Sequence, residues 1–231
     1  MITMRNLYKL ALYLLLLVPS LQGQVPKVTA DLKPGTLKAR GTLSQGPQQL
    51  SLNFTSTIKE ENGAWVITDV TETPFGLSTD TVTVEKGTLI VRKRAIQGEG
   101  TISFEVSGNK ATGTVEAAGR QIPISVTLDT PLFADGPAAA HSITVLPLAE
   151  GYTISYYNLD VASQRVLPVR LRVVGSESVT VPAGTFDTFK VEYAAEGGNQ
   201  STLWVAKELR KPVKGQSILP NGVSLTVELL P

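Results

Sequence analysis

Apolar and polar residues alternate through almost the whole chain from residue 39 onward. Leu50, Leu52 and Phe54 alternate with Ser51, Asn53 and Thr55, and Trp65 and Ile67 resume the pattern after Asn62-Gly63. Val82 and Val84 run into Lys86-Gly87, and Ile102, Phe104 and Val106 run into Gly108-Asn109. Ile122, Ile124, Val126 and Leu128 follow Gly119-Arg120, and Tyr152, Ile154 and Tyr156 follow Glu150-Gly151. Leu167, Val169, Leu171 and Val173 precede Gly175, and Val223, Leu225, Val227 and Leu229 close the chain after Asn221-Gly222. Successive side chains of a strand point to opposite faces, so a period of two between turn residues predicts antiparallel strands with one buried face. The rule gives about a dozen strands. The sharpest corner is in residues 178–193, SVTVPAGTFDTFKVEY. Pro182 presets φ for a turn and Gly184 can take positive φ, while Phe189, Val191 and Tyr193 alternate out on one face, so the corner is a hairpin device.

Residues 129–147, DTPLFADGPAAAHSITVLP, break the alternation. Three alanines follow Asp135-Gly136-Pro137, and Pro147 ends the run. This predicts one short helix over about residues 137–146, with Asp135 as its cap, that plugs or covers an open end of the sheet. The expected fold is all-β: a single large curved antiparallel sheet, a barrel or half-barrel of the lipocalin or lipoprotein-carrier kind, with one short helix. Residues 24–38 read as an extended lead-in and residues 39–231 as the β domain.

Composition adds a destination. Arg5 and Lys9 precede the apolar run 10–18, and Pro19-Ser20 follow, so residues 1–23 have the layout of a secretory signal peptide, cut after Ser20 or Gly23. As a helix the run is roughly 14 Å long, against a hydrocarbon core of about 30 Å, which argues against a membrane anchor. No later run is long enough to span a bilayer as a helix, so the expected location is periplasmic or extracellular in a bacterium. Without residues 1–23 the chain carries 19 basic and 20 acidic residues. That balance gives no basis for nucleic-acid binding, which needs a basic face. The chain has no Cys, hence no disulfide framework and no thiol to carry a lipid; apolar burial must hold the fold.

Catalytic chemistry finds little footing. One His and no Cys give no metal-ligand pattern, and no Asp-x-Asp-x-Asp-Gly loop is present, so no metal or cofactor is expected. A Ser-His-Asp relay would have to use His141, and Gly-x-Ser-x-Gly is absent, so His141 reads as a helix-surface or partly buried residue. Asp129-Thr130 continues with Pro131 rather than the Gly of an aspartic-protease loop, and Gly98-Glu99-Gly100 has Ser103 where a phosphate cradle needs Gly. The basic stretches 91–94 and 207–214 read as solvated strand faces and edge protection. No catalytic residue is assigned. The aromatics Trp65, Phe104, Tyr152, Tyr156 and Trp204 are the candidates for lining a ligand pocket.

The segments LDTPLFADG, LPLAEGY, VVGSESVTVPAGTFDTFKVEY and TLWVAKELRKPVK, in that order, resemble exported bacterial proteins related to the domain of unknown function 3108. The likeness rests on Gly175, Glu177, Val179, Pro182, Ala183, Gly184, Phe186, Trp204 and Val205. It implies an exported, mostly antiparallel β protein curved toward a barrel, and it implies no reaction. A curled sheet has a concave side. The function expected from that analogy is non-enzymatic binding of a lipid or other apolar or amphipathic small molecule. The alternative is a structural or assembly role beside another envelope protein, and a hydrolase comes last.

Overall fold

The structure, a computed structural model, describes residues 25–198, 200–219 and 222–231; the leader read at 1–23 lies outside them. The strands are β1 (Gly35–Gln45), β2 (Gln48–Glu61), β3 (Ala64–Thr73), β4 (Gly76–Glu85), β5 (Val91–Gln97), β6 (Thr101–Ser107), β7 (Lys110–Ala117) and β8 (Arg120–Thr127). After helix α1 (Ala138–Thr144) come β9 (Thr153–Asp160), β10 (Arg165–Val181), β11 (Gly184–Ala195), β12 (Ser201–Ala206), β13 (Pro212–Ile218) and β14 (Ser224–Leu229). All fourteen belong to one antiparallel sheet in the order β8-β7-β6-β5-β4-β3-β2-β1-β14-β13-β12-β11-β10-β9. The chain therefore walks by hairpins from the middle to one edge, crosses over through α1 to the other edge, and walks back. The β1–β14 ladder, Ala39 opposite Leu229 to Ser44 opposite Ser224, joins the two halves.

The expected single antiparallel sheet with one short helix is what the described residues form. Of the barrel or half-barrel expected, the closed barrel needs correction: β8 and β9 are not paired, so the sheet stays open. Side chains and the crossover span the gap instead. Gln164, in the β9–β10 turn, donates to the Pro123 carbonyl at 2.9 Å and accepts from the Ser125 N–H at 3.4 Å on β8. Leu132 bridges to Tyr157 on β9, while Phe133 bridges to Ile90 just before β5. The crossover is thus stitched to both halves, and its two neighbouring apolar residues, Leu132 and Phe133, are buried in the core.

Inward positions align in rows across the ladder. One row runs Ile58, Ile67, Val82, Arg94, Phe104, Gly113 and Ile124 across β2 to β8. The main core gathers such residues from both halves around the crossover, with Phe133 edge-on to Tyr156 at 5.4 Å between ring centroids. The hairpin read at residues 178–193 has Val181 opposite Gly184 across the two-residue loop Pro182-Ala183, with Gly184 at φ +131°. The first strand begins at Gly35, four residues before Ala39. The preceding segment acts as a strap: Thr29 bonds the Val145 carbonyl at the end of α1, and Asp31 accepts from the Trp65 indole.

The helix spans fewer residues than the sequence predicts, and Asp135 does not cap it. Pro137 holds the cap position, and its ring offers no side-chain bond; the Asp135 carboxylate is instead paired with Arg94 at 2.9 Å. Gly136, between them, sits at φ +52°, and a Cβ there would run into the Arg94 guanidinium. Gly136→Ala is therefore expected to lower the unfolding free energy by about 1–3 kcal/mol in urea titration, through both backbone strain and displacement of Arg94. Gly87→Ala, at a positive-φ turn with open space around its Cα, serves as the strain-only control and should lose less.

Candidate functional site

Pairing of β2, β3 and β4 places Ser56 beside Asp69 and Asp69 beside Asp80. These three occupy inward positions of strands whose other inward residues, Ile58, Ile67 and Val82, belong to the core. A polar row is thereby driven into an apolar concavity. Such groups must find partners, since an unpaired buried charge is strongly destabilising. Arg94, from β5, meets Asp80 at 2.7 Å and Asp135 at 2.9 Å. The guanidinium fork, with several fixed donors, suits two carboxylates at once. His141, from α1, lies with Nε2 2.7 Å from the Ser56 hydroxyl.

Burial sets the protonation of this cluster. It raises the Asp69 carboxyl to about 6, an effect that the Ser56 hydroxyl and Arg94 offset in part and Asp80 reinforces. It lowers His141 to about 4, so the imidazole is neutral at pH 7. It also raises Asp135, against the pull of Arg94. The Asp69 Oδ1 atom is buried with no hydrogen-bond partner.

Ser, His and Asp side by side invite comparison with a hydrolase relay, but the order is wrong. In a relay the carboxylate orients the imidazole, which then takes the serine proton. Here the carboxylate lies against the serine. A Ser56 hydroxyl that donates to Asp69 accepts from Nε2–H of the neutral imidazole, which leaves Nε2 no lone pair to act as base. The arrangement is a hydrogen-bonded polar end, not an activated nucleophile.

That end opens on a slot between α1 and the sheet, with a volume of about 250 Å³. Leu37 and Ala39 of β1, Phe54 of β2, Leu203 of β12, Val213 of β13, and Leu225, Val227 and Leu229 of β14 make its sides apolar. Ala140 and His141 form the helical side. Room arises from small side chains on the inner face. Ala39 lies opposite Leu229 and Phe54, and Gly215 opposite Val227 and Leu203. A Cβ on Gly215 would meet nothing nearer than Val227 at 4.0 Å.

The five aromatics proposed from sequence do not line this slot. Trp65, Phe104 and Tyr156 are buried in the main core, and Tyr152 packs against it half-buried. Trp204 belongs to a smaller cluster with Ala206 and Val213, where its indole donates to Glu177 and Lys190 and Lys214 approach its ring. The slot is lined by aliphatic residues of β1 and β12–β14 and by polar residues that the sequence reading passed over. The legible signal was parity: Ser56, Asp69 and Asp80 stand on the same alternate positions as Phe54, Ile67 and Val82. The stretch read as a solvated basic face, residues 91–94, splits likewise: Lys93 pairs with Glu105 at the surface while Arg94 turns inward.

The family described as Protein of unknown function (DUF3108) matches residues 29–229. Among solved structures, the hypothetical lipoprotein YmcC from Escherichia coli K12 aligns over 100% of this chain and 97% of its own, at 11% identity and a TM-score of 0.36. A DUF1329 family protein from Desulfovibrio piger aligns over 84% of this chain and 82% of its own, at 11% identity and a TM-score of 0.32. A Bacteroides fragilis protein described as exported, with a YmcC-like fold, aligns over 88% and 97%, at 10% identity and a TM-score of 0.30. None of the curated proteins matches the chain. Among the described residues, no helix is long and apolar enough to cross a membrane and no group of three or more His, Cys, Asp or Glu could hold a metal ion.

Asp69 and His141 give opposite pH slopes. Asp69 binds its proton more tightly folded than unfolded, so its contribution to stability falls as pH rises from about 4 to about 6. His141 binds its proton less tightly folded, so its contribution rises as pH goes from about 4 to about 6.5. In the native chain the two slopes oppose each other across that window. Asp69→Asn should expose a stability that climbs with pH, and His141→Gln one that declines, each by up to about 3 kcal/mol for a shift of roughly two pH units. Urea titrations at pH 4, 5, 6 and 7 measure both. Parallel curves for the three proteins would contradict this placement of the cluster.

Proposed function

The chain belongs to the family of proteins of unknown function DUF3108, and within that frame we propose that it is an exported envelope protein that binds and carries an apolar or amphipathic small molecule beneath α1. The observation that carries this reading is the slot itself: apolar sides, one polar end, and no catalytic arrangement at that end. Ligand sites of this build are concave, mostly apolar and fixed in orientation by a few polar groups. The volume of about 250 Å³ sits just below the roughly 300–1,000 Å³ of sites for drug-sized molecules. It suits one acyl or alkyl chain with a small head, or one tail of a larger lipid. Export is supported by the leader-like residues 1–23.

A second reading, docking to another envelope protein, draws on the β3–β4 hairpin tip. Phe75 there is 84% exposed and Leu77 59% exposed. Crosslinking from position 75 in intact cells separates the two readings, since an assembly factor yields a fixed protein partner there and a carrier, whose slot position 75 does not line, yields none.

Filling the slot tests carriage. Gly215→Leu projects a side chain into the space beside Val227 and Leu203, at a strand position where a larger residue brings no backbone strain. Wild-type protein purified from the envelope fraction should show a bound small molecule by native mass spectrometry and should bind a fluorescent C12 single-chain probe. Gly215→Leu should lose the bound species and weaken the probe at least about tenfold, or ~1.4 kcal/mol, with unfolding stability unchanged or raised. Equal probe binding by the two proteins would remove the slot as the site.

A further inference from the structure

We infer that the carried molecule has two apolar arms on one polar link, and that its second arm lies in a separate cavity beneath the strap. The inference rests on the carriage reading and adds the shape of the ligand. The decisive observation is a second space of about 250 Å³ on the far side of His141, between the strap, the end of α1 and the β12–β13 turn. Its inner wall includes Leu32 of the strap, Ile58 of β2 and Val145 after α1, all buried. Its rim is charged, with Lys33, Glu208, Arg210 and Lys211 exposed. Inside that rim it matches the slot in size and in apolar make-up.

The two spaces meet at three residues that line both: Leu37 of β1, His141 of α1 and Pro212 at the start of β13. The divider is therefore one side chain thick. Its polar member is His141, bonded to Ser56 at 2.7 Å. The helix that carries it is held at both ends. Ahead of α1, Asp135 is paired with Arg94. Behind it, Thr29 donates to the Val145 carbonyl from its N–H at 2.8 Å and from its hydroxyl at 2.9 Å. Two apolar spaces on either side of a fixed polar divider fit a molecule whose tails part at a polar link, such as a diacylglycerol. A molecule with one short tail fills one space and forgoes the burial that the other offers.

The strap cavity can be filled without touching the slot. Gly35 lines it, its φ is not positive, and nothing lies within 4 Å of a Cβ built there. It stands opposite Ile58 in the β1–β2 ladder, so a side chain at 35 points to the same inner face. Gly35→Leu therefore fills the strap cavity as Gly215→Leu fills the slot.

The test is a tail series on one head: 1-decanoylglycerol, 1,2-didecanoylglycerol and 1-icosanoylglycerol, which carries the tail carbons of the second compound in one chain. Each displaces the fluorescent C12 probe from protein purified from the envelope fraction and stripped of bound lipid. The two-tailed glyceride is expected to bind at least about tenfold more tightly than the decanoyl one, since burying two further methylenes already has that effect. Gly35→Leu should bring that ratio to near one. A ratio near one in the wild type, or one that Gly35→Leu does not lower, overturns the inference and leaves carriage in the slot intact. An equal gain from the icosanoyl glyceride, lost in Gly35→Leu, also overturns it and replaces two arms with one long tail bent past His141. Displacement by none of the three overturns both readings. Native mass spectrometry of the wild type needs no variant: the bound species should fragment into two acyl or alkyl chains, and a single-chain species overturns the inference.

Discussion

One guanidinium ties the interior of this protein together. Arg94 projects from β5 into the concave face, where it is held on one side by Asp80 of the sheet and on the other by Asp135 of the crossover. The contact fixes the turn at Asp135-Gly136-Pro137, and that turn sets where α1 starts. From there α1 delivers His141 to Ser56, and the helix becomes the lid of the slot. A hydrophobic pair in place of Arg94 and Asp135 could be as stable, since burying ions carries a large desolvation penalty. Apolar contact is non-directional, however, and a helix of seven residues has little surface with which to choose a position. The forked, two-carboxylate bond supplies the direction.

The open sheet follows from the same crossover. Fourteen strands curled toward a barrel would ordinarily remove their edges by pairing β8 with β9. Here residues between them must enter the concavity, and Leu132 and Phe133 occupy bridge positions at Tyr157 and Ile90. Closing the ladder would displace the segment that carries Asp135. The Gln164 side chain, reaching β8 with two bonds, is a compromise that protects the edge and leaves the passage.

The periodic part of this architecture was legible in the sequence. Alternation between Gly- and Asn-containing turns indicated antiparallel hairpins, Pro182-Ala183-Gly184 marked a tight one, and the alanine run at 138–140 marked the helix. The slot was not legible, for two reasons. Aromatic size drew attention to Trp65, Phe104 and Tyr156, yet large rings in a curled sheet pack the core most efficiently and leave no space. Space comes instead from missing side chains, at Ala39 and Gly215, which leave no mark in a hydrophobicity pattern. The polar cluster left a mark of another kind. Asp69 follows Trp65 and Ile67 by steps of two, and Asp80 precedes Val82 and Val84 by the same step. A carboxylate in phase with the core is a conflict between local pattern and composition, and such conflicts collect at functional sites. Read one by one the carboxylates are scattered; only the register of β2, β3 and β4 makes Ser56, Asp69 and Asp80 neighbours.

That conflict also bears on why Asp69 stands where it does. Asp80 and Asp135 belong to the bond that positions the helix, so their burial has a structural return. Asp69 has none of comparable size: it faces no guanidinium directly, one of its oxygens has no partner, and its proton affinity is raised because the fold disfavours its charge. A neutral residue of the same shape would serve the sheet better at pH 7. A group that weakens the folded state and faces a cavity is the pattern expected where recognition, rather than stability, decides the residue. The neutral His141 and the engaged Ser56 fit that view, since together they hold the carboxylate's surroundings fixed without neutralising it.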